Sequence, residues 1–107
     1  MDVQIHVGQF CVVRSSDAGV FCGTVGGVAT NPTGTHNVTF TAHRQLHRWW
    51  PKEGQGVAAI AASGMADRSE VLPGVWSDGA HTVAGCCQII ECGADVAAQL
   101  QALKPRR

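Results

Sequence analysis

The stretch FCVVRSSDAGVFCGTVGGV, residues 10–28, decides the fold because it holds two apolar segments joined by a short polar one. Residues 10–14 form a continuous run rich in Val, which favours a buried strand. Residues 15–19 carry turn chemistry, since Ser and Asp can bond back to the backbone and Gly19 can take a positive φ. A second strand follows over residues 20–28, and the two segments predict an antiparallel hairpin. Glycines within the second strand indicate a bulge, or a place where another backbone or a ligand comes close.

Alternation of apolar and polar residues extends this sheet in both directions. Residues 3–7 alternate and predict a short strand before the hairpin. The sequence Asn-Pro-Thr-Gly at 31–34 predicts a turn, because Pro fixes φ and Gly permits a tight end. Residues 36–42 alternate again and predict a third antiparallel strand. Residues 44–51 predict a strand end or bend, which Pro51 closes.

The second half of the chain predicts two helices and one further long strand. Residues 57–62 are rich in Ala with apolar residues three and four apart, and Gly64 fits the end of such a helix. Residues 65–69 predict a polar connection, and residues 71–76, broken by Pro73 and Gly74, predict at best an edge strand. After a turn at residues 77–79, residues 82–92 predict the last strand, and residues 95–103 predict an amphipathic helix.

These elements predict a single α+β domain over residues 1–107. Its core is a small antiparallel β-sheet or partial barrel of four to six strands with two short helices. Eight basic residues balance eight acidic ones, so the net charge gives no sign of a nucleic-acid or membrane partner. Low charge and 13 glycines favour a homo-oligomer. No export signal and no bilayer-spanning apolar stretch is found, so we expect a protein that stays in the cell that makes it.

The segment 43–52 concentrates cations and indoles in an otherwise neutral chain. Guanidinium groups bind phosphates in a bidentate manner, and indole faces stack on bases. The predicted ligand-binding residues are Arg44, His47, Arg48, Trp49, Trp50 and Lys52. The alternative is structural: one indole lies in the core, the other covers an apolar edge, and the arginines are solvated. Trp76 is interpreted as a core or subunit-interface residue.

The size of this patch favours a small anionic ligand, such as a nucleotide, over duplex nucleic acid. Duplex binding needs many phosphate contacts and a broad positive face, whereas a few cations balance one to three phosphates. In a homo-oligomer, two such patches can meet at a subunit boundary and enclose the ligand.

Catalytic residues, a metal site and a cofactor are not predicted. His43 and His47 are four apart, as zinc ligands on a helix are, but their segment does not read as helical. The glycines at 23–27 lack the following helix that a phosphate loop requires. The odd number of cysteines forms no disulfide framework, and apolar neighbours favour reduced, buried, inert thiols.

Four blocks of the chain resemble a family of small, uncharacterised proteins of tailed bacteriophages. They are VRSSDAGVFCGTV at 13–25, AHRQLHRWW at 42–50, VAAIAASG at 57–64 and IIEC at 89–92. The family has three corresponding blocks, VRTYSAGVHFGTL, ARRLWYWKGAxSLxELAxxG and EIIPCT, and the second of these spans both the 42–50 and the 57–64 blocks of this chain. The chain departs from the family in three places. HRQLHRWW at 43–50 stands where the family has paired Arg and W-x-W, the family's Pro before the late Cys is absent, and Gly93 stands at the helix start where the family has Ser or Thr.

The resemblance implies a phage-encoded accessory protein that acts in the host cytoplasm, and it brings no biochemical activity with it. The leading hypothesis is a non-enzymatic protein that sequesters a nucleotide immune signal of the host, by analogy with phage counter-defence proteins. A structural or interaction protein, such as a virion decoration subunit or an inhibitor of a host protein, is the alternative. A single-stranded nucleic-acid binder is the third hypothesis.

Overall fold

The computed structural model describes residues 2–3, 6–16, 18–66 and 72–105. In this part of the chain, six strands and two helices follow one another. The strands are β1 (Asp2–Val3), β2 (Phe10–Ser15), β3 (Gly19–Thr30), β4 (His36–Arg48), β5 (Leu72–Pro73) and β6 (Ser77–Glu91), and the helices are α1 (Val57–Ser63) and α2 (Ala94–Ala102). The strand predicted over 3–7 and the connection predicted over 65–69 fall partly outside the described residues, and residues 6–8 form a turn.

The four long strands close into a ring. β2 pairs with β3, β3 with β4, β4 with β6, and β6 returns to β2, and every pair is antiparallel. The two short strands extend this ring, β1 along β3 and β5 along β4. A small antiparallel sheet rolled into a barrel with two short helices confirms the predicted α+β fold.

Buried apolar side chains divide between the inside of the ring and the side that the helices cover. Successive side chains of a strand point to opposite faces, so one face of each long strand lines the inside of the ring. The inner cluster is formed by these strand residues alone. Its buried members are Cys11, Val13, Phe21, Val25, Val28, Val38, Phe40, Val83 and Cys86. The outer cluster joins the sheet to both helices. Its buried members are Phe10, Val12, Val20, Cys22, Leu46, Val57, Ile60, Ala61, Met65, Val96 and Leu100.

Turns and helix ends follow the local chemistry of the sequence. Gly19 (φ 105°) and Gly34 (φ 92°) take positive φ at two of the three predicted turns, which confirms these two. α1 occupies the predicted position, and the amide of Gly64 donates to the carbonyl of Ile60 at 2.8 Å. α2 begins at Ala94 with Asp95 in its first turn, where a carboxylate favours the helix dipole.

The last strand is longer than predicted. A turn was expected at residues 77–79, but β6 runs through them and pairs with β4. The turn prediction is wrong because Gly79, at φ 120°, accommodates a shift of register within the strand instead of reversing it. Residues 44–51, predicted as a strand end or bend, contain the last part of β4, and the chain leaves the sheet at Trp49.

Candidate functional site

Arg14 is the exposed residue of β2, whose other residues are all buried. Its backbone lies opposite Val20 on β3 and opposite Gln88 on β6. Directly opposed residues of an antiparallel pair project from the same face, so the side chains of Arg14 and Gln88 are neighbours. Within the described residues, no hydrogen bond or ion pair engages the Arg14 guanidinium.

A β-bulge beside Arg14 sets the direction of this part of the sheet. Arg14 opposes Gln88 and Ser15 opposes Cys86, so Cys87 is an extra residue on β6. The Cys87 thiol donates to the carbonyl oxygen of Arg14 at 3.5 Å. The buried hydroxyl of Ser15 donates to the carbonyl of Ala84 at 2.9 Å. Such a bulge bends the strand and redirects neighbouring side chains.

The opposite wall comes from the chain between β4 and α1. Trp49 is half-buried and packs against the outer cluster, which holds its indole in place. Gln55 and Gly56 then lead into α1, whose buried Val57 anchors the helix to the same cluster. Together these walls enclose a cleft of about 460 Å³, here called the Arg14 cleft. It is lined by Arg14, Trp49, Gln55, Gly56, Val57, Ala58 and Gln88.

In the part of the chain that the structure describes, the lining of the Arg14 cleft combines one cation with an indole and two carboxamides and contains no carboxylate. A guanidinium can hold a phosphate or carboxylate through two parallel hydrogen bonds. An indole can stack on a planar ring, and each Gln amide can both donate and accept. This arrangement suits a small ligand that has an anionic group and a planar group.

Arg44 is not available to a ligand, which corrects the prediction for this residue. It is 1% exposed, and its guanidinium lies inside the protein. Nε donates to the carbonyl of Gly74 at 2.9 Å, and Nη1 donates to the carbonyls of Leu100 at 2.8 Å and Leu103 at 2.7 Å. Burial lowers the pKa of the Arg44 guanidinium. Arg44 therefore holds the end of α2 against the sheet.

The other predicted residues divide between the Arg14 cleft and the surface. Trp49 lines the cleft, whereas His47, Arg48 and Lys52 are exposed outside its lining. Trp50 is 49% exposed. Its carbonyl accepts a hydrogen bond from the Ala66 amide at 2.7 Å. The structure thus brings one member of the predicted set to the cleft, and Arg14 takes the place expected for Arg44.

Three cleft residues were missed by the sequence reasoning. Arg14 interrupts an apolar run, and its position after Val12 and Val13 was a usable signal of an outward-facing cation. Gln55 lies between two glycines and Gln88 between Cys87 and Ile89, and neither context signals a binding residue. The register between β2 and β6 brings Gln88 to Arg14.

Four of the five cysteines have raised thiol pKa values, which disfavour the reactive thiolate form. Burial is the main cause that raises the pKa of Cys11 and Cys22 to about 12 and that of Cys86 and Cys92 to about 11. Cys87 is exposed. Across the described ranges, no cluster of three or more His, Cys, Asp or Glu side chains is placed to hold a metal ion. No helix formed by these residues is both long and apolar enough to cross a bilayer.

Comparison with known proteins identifies one family. The model of a family described as a domain of unknown function (DUF6948) matches residues 8–100, a span that includes the lining of the Arg14 cleft and all of the barrel's long strands. No curated protein and no solved structure matches the chain.

Proposed function

The chain belongs to the family described as a domain of unknown function (DUF6948), and on that premise we propose a non-enzymatic protein that binds a small anionic ligand in the Arg14 cleft. One observation carries the proposal. Arg14 projects from an otherwise buried strand into a cleft with an indole and two amides, and no carboxylate in the lining competes for its charge. A guanidinium that no described residue neutralises favours an anionic guest.

A nucleotide fits this combination of groups. Its phosphate would pair with Arg14, its base would stack on the Trp49 indole, and Gln55 and Gln88 would reach polar edges of the base. The lining supplies one cation, so a ligand with a small negative charge is favoured over a long polyanion.

We further propose that the protein is phage-encoded and acts in the cytoplasm of an infected bacterium. The support is the likeness of its blocks to small proteins of tailed phages, and the first of these blocks, residues 13–25, contains Arg14. Sequestering a nucleotide immune signal requires tight binding without turnover, which suits a cleft with no catalytic group assigned to it. A homo-oligomer in which two copies meet over the cleft would enclose the ligand.

Exposed apolar side chains support a second candidate, an interaction protein such as a virion decoration subunit or a host-protein inhibitor. Val75 is 67% exposed and Trp50 49% exposed. Apolar side chains at a surface mark protein contacts where they form a contiguous patch. The third candidate, a binder of single-stranded nucleic acid, would need a longer basic groove than the one cation of this cleft supplies.

Calorimetric titration with a panel of mono-, di- and cyclic nucleotides, and with inorganic phosphate, tests the proposal. We expect a nucleotide to bind and Arg14→Gln to weaken it by about tenfold or more, because a charge-assisted hydrogen bond is lost. Arg48→Gln removes an exposed cation outside the cleft and is the matched control. Trp49→Phe keeps an aromatic face and should weaken binding less than Arg14→Gln does.

The outcomes separate the candidates. If no nucleotide binds at high concentration, or if Arg14→Gln and Arg48→Gln behave alike, the assignment of the cleft is wrong. Recovery of the protein from purified phage particles would favour the decoration subunit. Salt-dependent binding to oligonucleotides that is indifferent to Arg14→Gln would favour the third candidate.

A further inference from the structure

Two histidines stack on each other between β4 and β6, and neither has a role in the proposed function. The ring centroids of His43 on β4 and His81 on β6 are 4.3 Å apart, and the rings are within 10° of parallel. His43 also stacks on Phe40, with centroids 5.7 Å apart, and lies 6.3 Å from Phe21. Because Phe21 and Phe40 belong to the inner cluster, the stack lies against the side chains of that cluster.

The placement of His43 depends on local features of β3 and β4. The register shifts between the pairs Thr24–Ala42 and Val25–Phe40, which leaves Thr41 as an extra residue. This bulge directs Phe40 and His43 to the same side, although they are an odd number of residues apart. Opposite His43 lies Gly23, where a Cβ would come within 2.8 Å of the His43 Cα and Cβ. Glycine thus allows β4 to approach closely and His43 to reach the inner cluster.

His43 is half-buried, and its surroundings favour the neutral form of the ring. Its Nδ1 is buried, and no described residue offers it a hydrogen-bond partner. A proton on Nδ1 would therefore be an unsatisfied donor in an apolar site, so the neutral ring carries its proton on Nε2. Burial, and secondarily the neighbouring His81, lower the pKa of His43.

Among the described residues, the groups that face His43 offer no negative charge to offset a proton. β3 presents Phe21 and Gly23, β4 itself presents Phe40, and β6 presents His81. Asp78, the register partner of Ala42, accepts a hydrogen bond from the Trp76 indole at 3.1 Å. The guanidinium of Arg44, the next residue along β4, is bonded to the carbonyls near α2.

We propose that the His43–His81 stack is an acid-sensitive contact that joins β4 to β6 beside the inner cluster near neutral pH and is released in acid. Protonation of His43 places a charge against the buried Phe40 ring and 4.3 Å from the His81 ring, which is exposed. Since the folded state takes up this proton less readily than the unfolded state, stability falls as the pH drops below the ordinary histidine value of 6.5. The unfolding constant then rises by up to about tenfold per pH unit until the folded protein is itself protonated.

Imidazole NMR of the unmodified protein tests the proposal directly. We expect His43 to show the Nε2–H tautomer and ring-to-ring contacts with His81 at about pH 7.5, and to lose those contacts as it titrates below 6.5. The proposal is overturned if His43 titrates at or above 6.5, or if both rings remain stacked when fully protonated.

Denaturant unfolding of variants supplies the second test. His43→Phe keeps an aromatic ring on Phe40 but cannot titrate. The pH dependence of its unfolding constant should therefore be weaker than that of the wild type by up to about tenfold per pH unit, which is the contribution of one proton. His47→Gln removes an exposed histidine of the same strand and should keep the pH dependence of the wild type. Equal pH dependence in the wild type and His43→Phe would reject the proposal. Should His43→Phe fail to fold, the NMR titration decides alone.

Discussion

The guanidinium of Arg44 lies 2.8 Å from the carbonyl oxygen of Leu100, so a side chain from the sheet caps the end of a helix. The last carbonyls of an α-helix lack partners within the helix. α2 has no basic residue in its last turn, and Arg44 of β4 supplies the positive charge that the helix dipole favours there. The same guanidinium bonds to Leu103 and Gly74, which joins three segments through one side chain.

Arg44→Met should destabilise the protein by about 2–4 kcal/mol, because it leaves several buried carbonyls without a donor. The free energy of unfolding can be measured by urea denaturation followed by circular dichroism. The loss should appear without a change of strand content, since the Arg44 side chain lies between α2 and the sheet and the backbone pairing of β4 does not use it.

Arg48→Met is the matched control for that experiment, because Arg48 lies on the same strand and is exposed. Its effect should stay within about 0.5 kcal/mol. If the two substitutions cost the same, the hydrogen bonds of Arg44 do not stabilise the fold as inferred.

Two glycines of β3 should respond in opposite ways to Ala. At Gly23 a Cβ would collide with the Ala42 carbonyl and come within 2.8 Å of His43, whereas at Gly27 no atom lies within 4 Å. Gly23→Ala must move the backbone of β4 and should cost about 2 kcal/mol or more. Gly27→Ala should be neutral or stabilising by up to about 1 kcal/mol, because Ala restricts the unfolded chain. Thermal or urea unfolding of both variants measures the difference, and a stable Gly23→Ala protein would contradict the close approach of β3 and β4.

Much of this fold could be predicted because its local chemistry agrees with its pairing. The hairpin of β2 and β3, the Asn-Pro-Thr-Gly turn and both helices carry clear signals of alternation, turn residues or helical spacing. Closure of the ring depends on pairing between β2 and β6, which are distant in sequence. Gly79 is compatible both with a turn and with a bulge inside a strand, so the sequence does not show where β6 begins.

The site was harder to predict because burial of a cation depends on three-dimensional neighbours. Arg44 and Arg48 look alike in sequence, yet Arg44 meets the end of α2 while Arg48 is exposed. The bulge at Thr41 also changes which side chains of β4 face inward, and alternation does not reveal a bulge. Arg14 was missed although its charge at the end of an apolar run was a usable signal of an outward-facing side chain.

Cys87 should be the cysteine that reacts in the folded protein. It is the exposed member of the five, and its thiol lies beside Arg14 at the bulge of β6. Thiolate is the reactive form, and burial raises the pKa of the other thiols to about 11 or 12, so they remain protonated near neutral pH. Titration with a chromogenic disulfide should therefore detect one fast thiol in native protein and all five after denaturation.

Cys87→Ser is the decisive variant for that prediction, because it removes the exposed thiol and leaves the four others in place. The fast phase should disappear, and the remaining thiols should react only as the protein unfolds. Cys92→Ser, at the half-buried position after β6, should keep the fast phase and serves as the control. If the fast phase survives in Cys87→Ser, another thiol is accessible, and the packing assigned to the two apolar clusters is wrong at that cysteine.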